Sequence, residues 1–351
     1  MKLKLKNTPE QVELIKAMGS REASVAKEAQ EAFAAFIGPV VSKVLTQAST
    51  ASVVYTDLPY DEDDSPSIPL DLFAGEGEGF VSTWSQTVAG GLPTSTVEGL
   101  SEMKVSTYRL DSAVSFLKRY ARRARLDVAS KAVERMANEV LVKQERNAWA
   151  VVLKALAASG NVETETSVSG AGRGFQLSHL NKLITKVKRI NTSYAGGSTT
   201  DSYGLTDLFV SPEVKEAIRG FAYQPMSSGN TNLPDSVREG IYSGAGTQEI
   251  YGITIHELVE LGNGRKYNVL FDNFYGGSYE AGTDDLVIGL DLTKDAFVRP
   301  VARQSESGGT FTAIPDDQFV ARSEKIGFYG SLEEGRVCID SRAIAGITIE
   351  A

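Results

Sequence analysis

Residues 127–159 read DVASKAVERMANEVLVKQERNAWAVVLKALAAS, a run without a glycine or a proline. Within it Ala129, Val133, Met136, Val140, Ala148, Val151 and Ala155 recur at spacings close to three and four. That period places them on one face of a helix. Such a helix spans about 50 Å, longer than most globular helices. The run predicts a beam across a flat domain, and the rest of the chain is read outward from it.

Downstream, a loop rich in Gly, Ser and Thr runs from Gly160 to Gly174. Leu177, Leu180, Leu183, Ile184, Val187 and Ile190 then predict a second amphipathic helix. Asp207-Leu208-Phe209-Val210 is apolar and extended, and Ser211-Pro212 caps and starts a helix carrying Val214, Ala217 and Ile218. After a Gly-, Ser- and Asn-rich loop at 225–247, strands are expected at 250–256, 267–271 and 285–290. Together these make a mixed α/β domain. Segments 317–322, 325–330, 336–340 and 345–349 alternate apolar and polar residues. They are expected to form a small antiparallel sheet that covers the long helix.

Upstream, Thr8-Pro9-Glu10-Gln11 opens a helix, with Thr8 as cap, Pro9 in the first turn and Gln11 completing a capping box. Gly19 interrupts it, and Val25, Ala29, Ala32, Phe33 and Phe36 share a face before Gly38-Pro39 ends the helical stretch. Val53-Val54-Tyr55 reads as a strand, and Pro59, Pro66 and Pro69 keep the following chain extended around the acidic run Asp61-Glu62-Asp63-Asp64. Residues 80–84 and 103–108 read as two strands joined through Gly90-Gly91-Leu92-Pro93. So long a pair with so few core-forming residues predicts a ribbon that needs a neighbour to lie on.

The chain has 351 residues, with 42% hydrophobic and 23% charged content, enough to bury a core. Its net charge of −9 argues against tight nucleic-acid binding as the main task. A single cysteine, Cys338, excludes a disulfide within the chain and fits a reducing compartment. Met1-Lys2-Leu3-Lys4-Leu5-Lys6 is followed by no long apolar stretch, so neither a signal peptide nor a membrane anchor is expected.

The residues carry no catalytic, cofactor-binding or metal constellation. Gly75-Glu76-Gly77-Glu78-Gly79 places glutamates where a phosphate would lie, and strand-like sequence follows where a helix is needed. Gly262-Asn263-Gly264-Arg265-Lys266 lacks the phosphate-loop spacing and reads as a hairpin turn. His179 and His256 have no Cys or His at metal spacing, and Cys338 sits inside an apolar strand. Asp284-Asp285 and Asp316-Asp317 read as turn residues. One charged feature stands apart: Lys118, Arg119, Arg122, Arg123 and Arg125 fall within eight positions of an acidic chain. A solvated helical face is one reading. The sharper one makes this run the receiver of acidic segments from a neighbouring subunit, such as Glu76 and Glu78 or Asp61 and Asp63. A DNA-facing role is the third reading.

The order of these elements resembles the major capsid proteins of tailed bacteriophages, which share the Hong Kong 97-type fold with encapsulins. Locally the resemblance rests on Leu208-Phe209-Val210-Ser211-Pro212-Glu213-Val214, on Ile250-Tyr251-Gly252-Ile253-Thr254-Ile255, and on Phe328-Tyr329-Gly330 with Arg336-Val337-Cys338-Ile339-Asp340. It implies an α+β chain with an N-terminal arm at 1–70 and an extended β-ribbon loop at 71–111. A peripheral domain with a spine helix would use 112–169 plus 311–351, and an α/β axial domain 170–310. It further implies a shell protein rather than an enzyme, without cofactors. Hexamers and pentamers would enclose double-stranded DNA without sequence-specific binding, in a virion assembled in the host cytoplasm away from membranes. The implied partners are a separate scaffolding protein, a portal and a decoration protein. Two other readings stand beside it: an encapsulin-type compartment, and a soluble α/β enzyme with a pocket of convergent polar groups.

Overall fold

The computed structural model describes residues 8–61, 64–69, 102–164, 174–190, 204–220, 248–277, 279–293, 295–303, 310–316 and 324–350. In chain order the helices are α1 (Pro9–Met18), α2 (Ala23–Ala48), α3 (Lys118–Arg122), α4 (Leu126–Ser159), α5 (Leu177–Arg189), α6 (Pro212–Gly220) and α7 (Lys266–Tyr275). The first strands are β1 (Thr56–Asp61), β2 (Ser67–Pro69), β3 (Glu102–Lys104), β4 (Thr107–Leu117), β5 (Val162–Thr164), β6 (Asp207–Val210) and β7 (Gln248–Ile250). The later ones are β8 (Ile253–Glu257), β9 (Asp284–Leu290), β10 (Phe297–Arg303), β11 (Thr312–Asp316), β12 (Lys325–Gly335), β13 (Val337–Cys338) and β14 (Ile344–Glu350). The chain divides into two units, one built from residues 1–66, 104–148 and 298–337, the other from 67–103, 149–297 and 338–351.

The first unit packs helices on a sheet centred on β12. This strand runs antiparallel to β4 along its whole length, to β11 at Gly327–Ser331 and to β10 at Glu334, while β1 lies parallel to β10. Alternate residues of the strands point to the helices. Phe328 of β12 meets Phe116 of β4 at 6.2 Å and Phe33 of α2 at 5.3 Å between ring centres. Ala129, Val133, Met136, Ala137 and Val140 of α4 join the same core.

From the N-terminal segment, α1 and α2 bury Ile15, Met18, Phe33, Ile37, Val41, Val44 and Leu45 in that core. One reading is corrected here: Gly38-Pro39 does not end the helix, since α2 continues to Ala48 with Pro39 inside it. An interior proline costs about 3 kcal/mol. Burial of Val41, Val44 and Leu45 beyond it offsets this, at about 1.5–3 kcal/mol per side chain. The buried face is also rotated from the expected one, since Val25 and Phe36 are 38% and 43% exposed while Ala26, Ala34 and Ile37 are covered. Thr8 stands at the N-cap and Pro9 in the first turn, but the Thr8 side chain makes no capping bond. Val53-Val54-Tyr55 forms no strand; Ala51–Val53 is a single 3-10 turn and the strand begins at Thr56.

The second unit is a six-stranded mixed sheet in the order β5-β14-β9-β6-β8-β7. Register fixes which helix covers which face. Gly346 of β14 lies opposite Ile288 of β9, so the neighbouring Gly289 points the other way. A Cβ on Gly346 would come within 2.9 Å of Leu156 of α4, and one on Gly289 within 3.0 Å of Leu183 of α5. The two glycines thus let α4 and α5 approach opposite faces closely. Trp149 of α4 packs edge-on against Phe209 of β6 at 5.0 Å, on the same face as Gly346.

Four readings change in this unit. The strand expected at 250–256 is a hairpin, β7 and β8, turned at Tyr251-Gly252 with φ of 54° and 78°. Positive φ at both central residues is the tight turn whose twist matches paired strands. The strand expected at 267–271 is α7, which buries Tyr267, Asn268 and Phe271. Gly262–Lys266 is therefore the lead into a helix rather than a hairpin turn. Finally, the segment at 345–349 does not join the sheet of 325–330: β14 pairs with β5 and β9 in the second unit. The long helix is observed, but its stripe slips. Beyond Ala148 the buried residues are Trp149, Val152, Leu153 and Leu156, while Val151 and Ala155 are only half covered. The readings at 80–84, 225–247 and 317–322 lie outside the described residues.

Candidate assembly surfaces

The basic run follows directly from β4. Lys118 to Arg122 make the short α3, whose first amide donates to Glu324 O at 2.7 Å and whose Ala121 is buried. The chain then turns through Ala124 at φ 49° into α4. This anchoring holds Arg119, Arg122, Arg123 and Arg125 in solvent, with Lys118 half-buried. Among the described residues no carboxylate bridges Lys118, Arg119, Arg122 or Arg123; Arg125 reaches Asp127 only at 4.0 Å. Arg119 lies over the ring of Tyr120 at 5.1 Å.

Arg122 differs from the others. Its Nε donates to Gly19 O at 3.0 Å, and a Cβ on Gly19 would stand 2.7 Å from Arg122 N. The turn between α1 and α2 is therefore seated on α3, and Arg122 has a structural task that the sequence reading did not give it. Of the acidic candidates, Asp61 is exposed at the end of β1, where its carbonyl accepts from Asp64 N at 2.9 Å. Among the described residues no ion pair joins Asp61 to the basic run. Asp63, Glu76 and Glu78 lie outside the described residues.

The sequence reading missed the most charged interior position. Glu334 is fully buried and accepts from Tyr108 OH at 2.6 Å and from Gln144 Nε2 at 2.9 Å. Arg299 Nε lies 2.7 Å from it and Arg336 Nη2 3.3 Å. Burial opposes its charge, but the two guanidiniums and the phenol outweigh that and hold the carboxyl below its usual range. Burial, and then the Glu334 carboxylate, push the Tyr108 phenol up to about 12. Arg336 also stacks over Tyr55 at 4.7 Å, and Tyr55 OH donates to Ala148 O at 2.8 Å. One acid thus ties β4, β10, β12 and α4 together. The signal lay in a glutamate at an inward position of a strand, with an arginine two residues on.

Groups that resemble reactive centres have structural roles. Ser211 Oγ donates to the buried Asp285 and accepts from Val214 N at 3.1 Å, so it caps α6. Burial raises the Asp285 carboxyl, against the bonds from Ser211 and the Leu286 amide. His256 Nε2 meets Asp207 Oδ1 at 2.7 Å while its ring stacks on Phe209 at 4.7 Å. His179 is buried, and its Nδ1 accepts from Gln176 N at 3.0 Å to close a cap on α5. Burial drives the Cys338 thiol up to about 12, far from a thiolate nucleophile. Among the described residues no three His, Cys, Asp or Glu side chains gather as metal ligands. No helix among them is long and apolar enough to cross a membrane.

The two units, each of mixed helices and strands, find their match in solved structures. A chain from Microbacterium phage Oxtober96 aligns with a TM-score of 0.52 at 13% identity, over 86% of this chain and 90% of that one. A chain of the Cyanophage Pam1 capsid aligns at 0.50 and 11% identity, over 85% and 88%. This chain has the Hong Kong 97-type capsid fold. A chain from Mycobacterium phage Cain shares it at 0.50 and 14% identity, over 86% and 90%. No protein-family model and no curated protein matches the sequence. At such identities the Hong Kong 97-type likeness lives in element order and packing, and the sequence reading rested on element order.

Proposed function

We propose that this chain is the major capsid protein of a tailed phage, assembling as hexamers and pentamers of a shell around double-stranded DNA. The observation that carries the reading is the capsid fold itself, matched over more than four-fifths of the chain. In this reading α4 is the spine helix of a peripheral domain at 112–169 plus 311–351, residues 170–310 form the axial domain and residues 71–111 form the extended loop. A separate scaffolding protein, a portal and a decoration protein would act with it. Lys118, Arg119, Arg123 and Arg125 receive carboxylates of a neighbouring subunit, with Asp61, Asp63, Glu76 and Glu78 as the donors of negative charge. Arginine predominates in that run, and its planar fork binds carboxylates, as it does phosphates, through paired hydrogen bonds. Arg122 takes part less, since its Nε is held by Gly19.

The test is the content of the shells. Particles purified from cells that co-express the neighbouring virion genes are expected to protect double-stranded DNA from nuclease. Shells that hold an enzyme cargo and no DNA would replace this reading with an encapsulin-type compartment.

A further inference from the structure

The second unit carries a basic surface of its own, on helix α5. Helix α5 buries Leu177, His179, Leu180, Leu183 and Val187 on one side. Asn181, Lys182, Thr185, Lys188 and Arg189 stand exposed on the other, with Lys186 half-buried. Its sequence, LSHLNKLITKVKR, holds four cations and no acid in a chain of net charge −9. Among the described residues only Lys186 has a carboxylate partner, Glu163 at 2.7 Å. Beside it lies a cleft of about 350 Å³ lined by Glu163, Lys182, Thr185, Lys186, Arg189 and Ile190. Glu163 offsets one positive charge there and leaves a clear excess.

We propose that this face makes sequence-independent contacts with the phosphate backbone of duplex nucleic acid. The proposal rests on the shell reading only for where that nucleic acid comes from. Lys182 to Arg189 spans about 10 Å along the helix, the axial length of about three phosphates on one strand. Asn181 adds a neutral donor of the kind that fixes position on a backbone without reading bases. The exposed side carries no aromatic ring, so the unstacked bases of a single strand would find nothing to lie on. The two basic regions also differ in kind. Four of the five cations at 118–125 are arginines, whereas three of the four on α5 are lysines. Lysine is a point charge on a flexible stem and binds phosphate without the fixed fork geometry of arginine. Cations in the last turn also favour the helix dipole. That effect would be seen in stability and not in binding.

The experiment compares full-length wild type with a triple variant, Lys182→Gln, Lys188→Gln and Arg189→Gln, which leaves the Lys186–Glu163 pair intact. Fluorescence anisotropy with a random-sequence duplex of about 30 base pairs is measured between about 50 and 200 mM salt. The wild type is expected to bind at low salt and to weaken steeply as salt rises. In the variant affinity should fall about tenfold or more, and the slope of log affinity against log salt should decrease by about 3. A second arm replaces the duplex with a synthetic acidic peptide of residues 56–64. Absence of duplex binding by the wild type, or equal slopes in both proteins, would overturn the proposal. So would peptide binding that needs the three cations while duplex binding does not, which would make the face a subunit contact. Particle formation by both proteins is scored in parallel. Shells without duplex binding sink this inference alone, and duplex binding without shells sinks the shell reading alone.

Discussion

At the centre of the first unit stands a carboxylate, Glu334, fully buried and met by two guanidiniums, a phenol and an amide. In the second unit the corresponding work is done by rings. Trp149 packs on Phe209, and Phe209 on His256. Among the described residues the buried acids of that unit, Asp285 and Asp291, face no cation; Asp285 is bonded by Ser211 and the Leu286 amide, Asp291 by the Gly204 amide and Thr293. Buried charge demands a full set of partners at defined angles, whereas apolar packing demands only volume and shape. The first unit therefore fixes the angles between its strands and α4 with direction, and the second fixes spacing.

The largest effect expected from breaking this contrast is at the hubs themselves. Glu334→Ala leaves Arg336 without its carboxylate partner and Arg299 with only the exposed Asp57, and should cost about 3–5 kcal/mol in urea unfolding. Trp149→Ala should cost a similar ~3–5 kcal/mol by opening a cavity. Hydrogen exchange separates the two. The first variant should lose protection mainly in peptides of β12 and β4, the second mainly in those of β6 and β9. Equal loss in both sets after either change would mean that the units unfold as one.

A smaller effect sharpens the comparison through pH. Glu334 is held below its ordinary value of 4.5, so the folded chain binds fewer protons there than the unfolded chain. Its contribution is complete above that value and is lost as pH falls through the folded value. Asp285 is raised above its ordinary value of 3.8, so the sign reverses, and acidification toward 3.8 relieves a cost. Exchange profiles compared at about pH 6 and about pH 4 should show β12 losing protection relative to β9. The opposite ranking would refute the assignment of charge to the first hub.

The smallest effect on stability falls on the surface. Arg119→Glu with Arg123→Glu should change the unfolding free energy by no more than about 0.5 kcal/mol, because both side chains lie in solvent. The same pair should block assembly by presenting like charge to the neighbour's acids. Normal assembly from this variant would remove the basic run from the contact. Arg122→Glu is the poorer test, since it also breaks the bond to Gly19 O.

Legibility in the sequence followed the range of the physics involved. Helix α4 was readable because a run without Gly or Pro, with regular apolar spacing, leaves the backbone little choice. Ser211-Pro212 was readable for a similar reason, since both the cap and the first turn are local. Pro39 misled, because the gain from Val41, Val44 and Leu45 depends on a sheet drawn from distant residues. The strand expected at 267–271 failed likewise: an apolar stretch of that length suits either state, and the core contact of Phe271 decides for helix. At Tyr251-Gly252 the turn was hidden by a tyrosine at positive φ, a position usually given to Asn, Asp or Gly. The stripe slip at Ala148 arises because α4 serves two cores, and one period does not fit both. For the candidate surfaces, the basic run was visible as composition. Glu334 was not, because its partners come from three other elements.

Electron microscopy of the protein, expressed alone and then with its neighbouring genes, tests the central claim most directly. Closed shells, or capsomers of five and six chains, are the predicted result. A uniform monomer or small oligomer under both conditions would contradict the account.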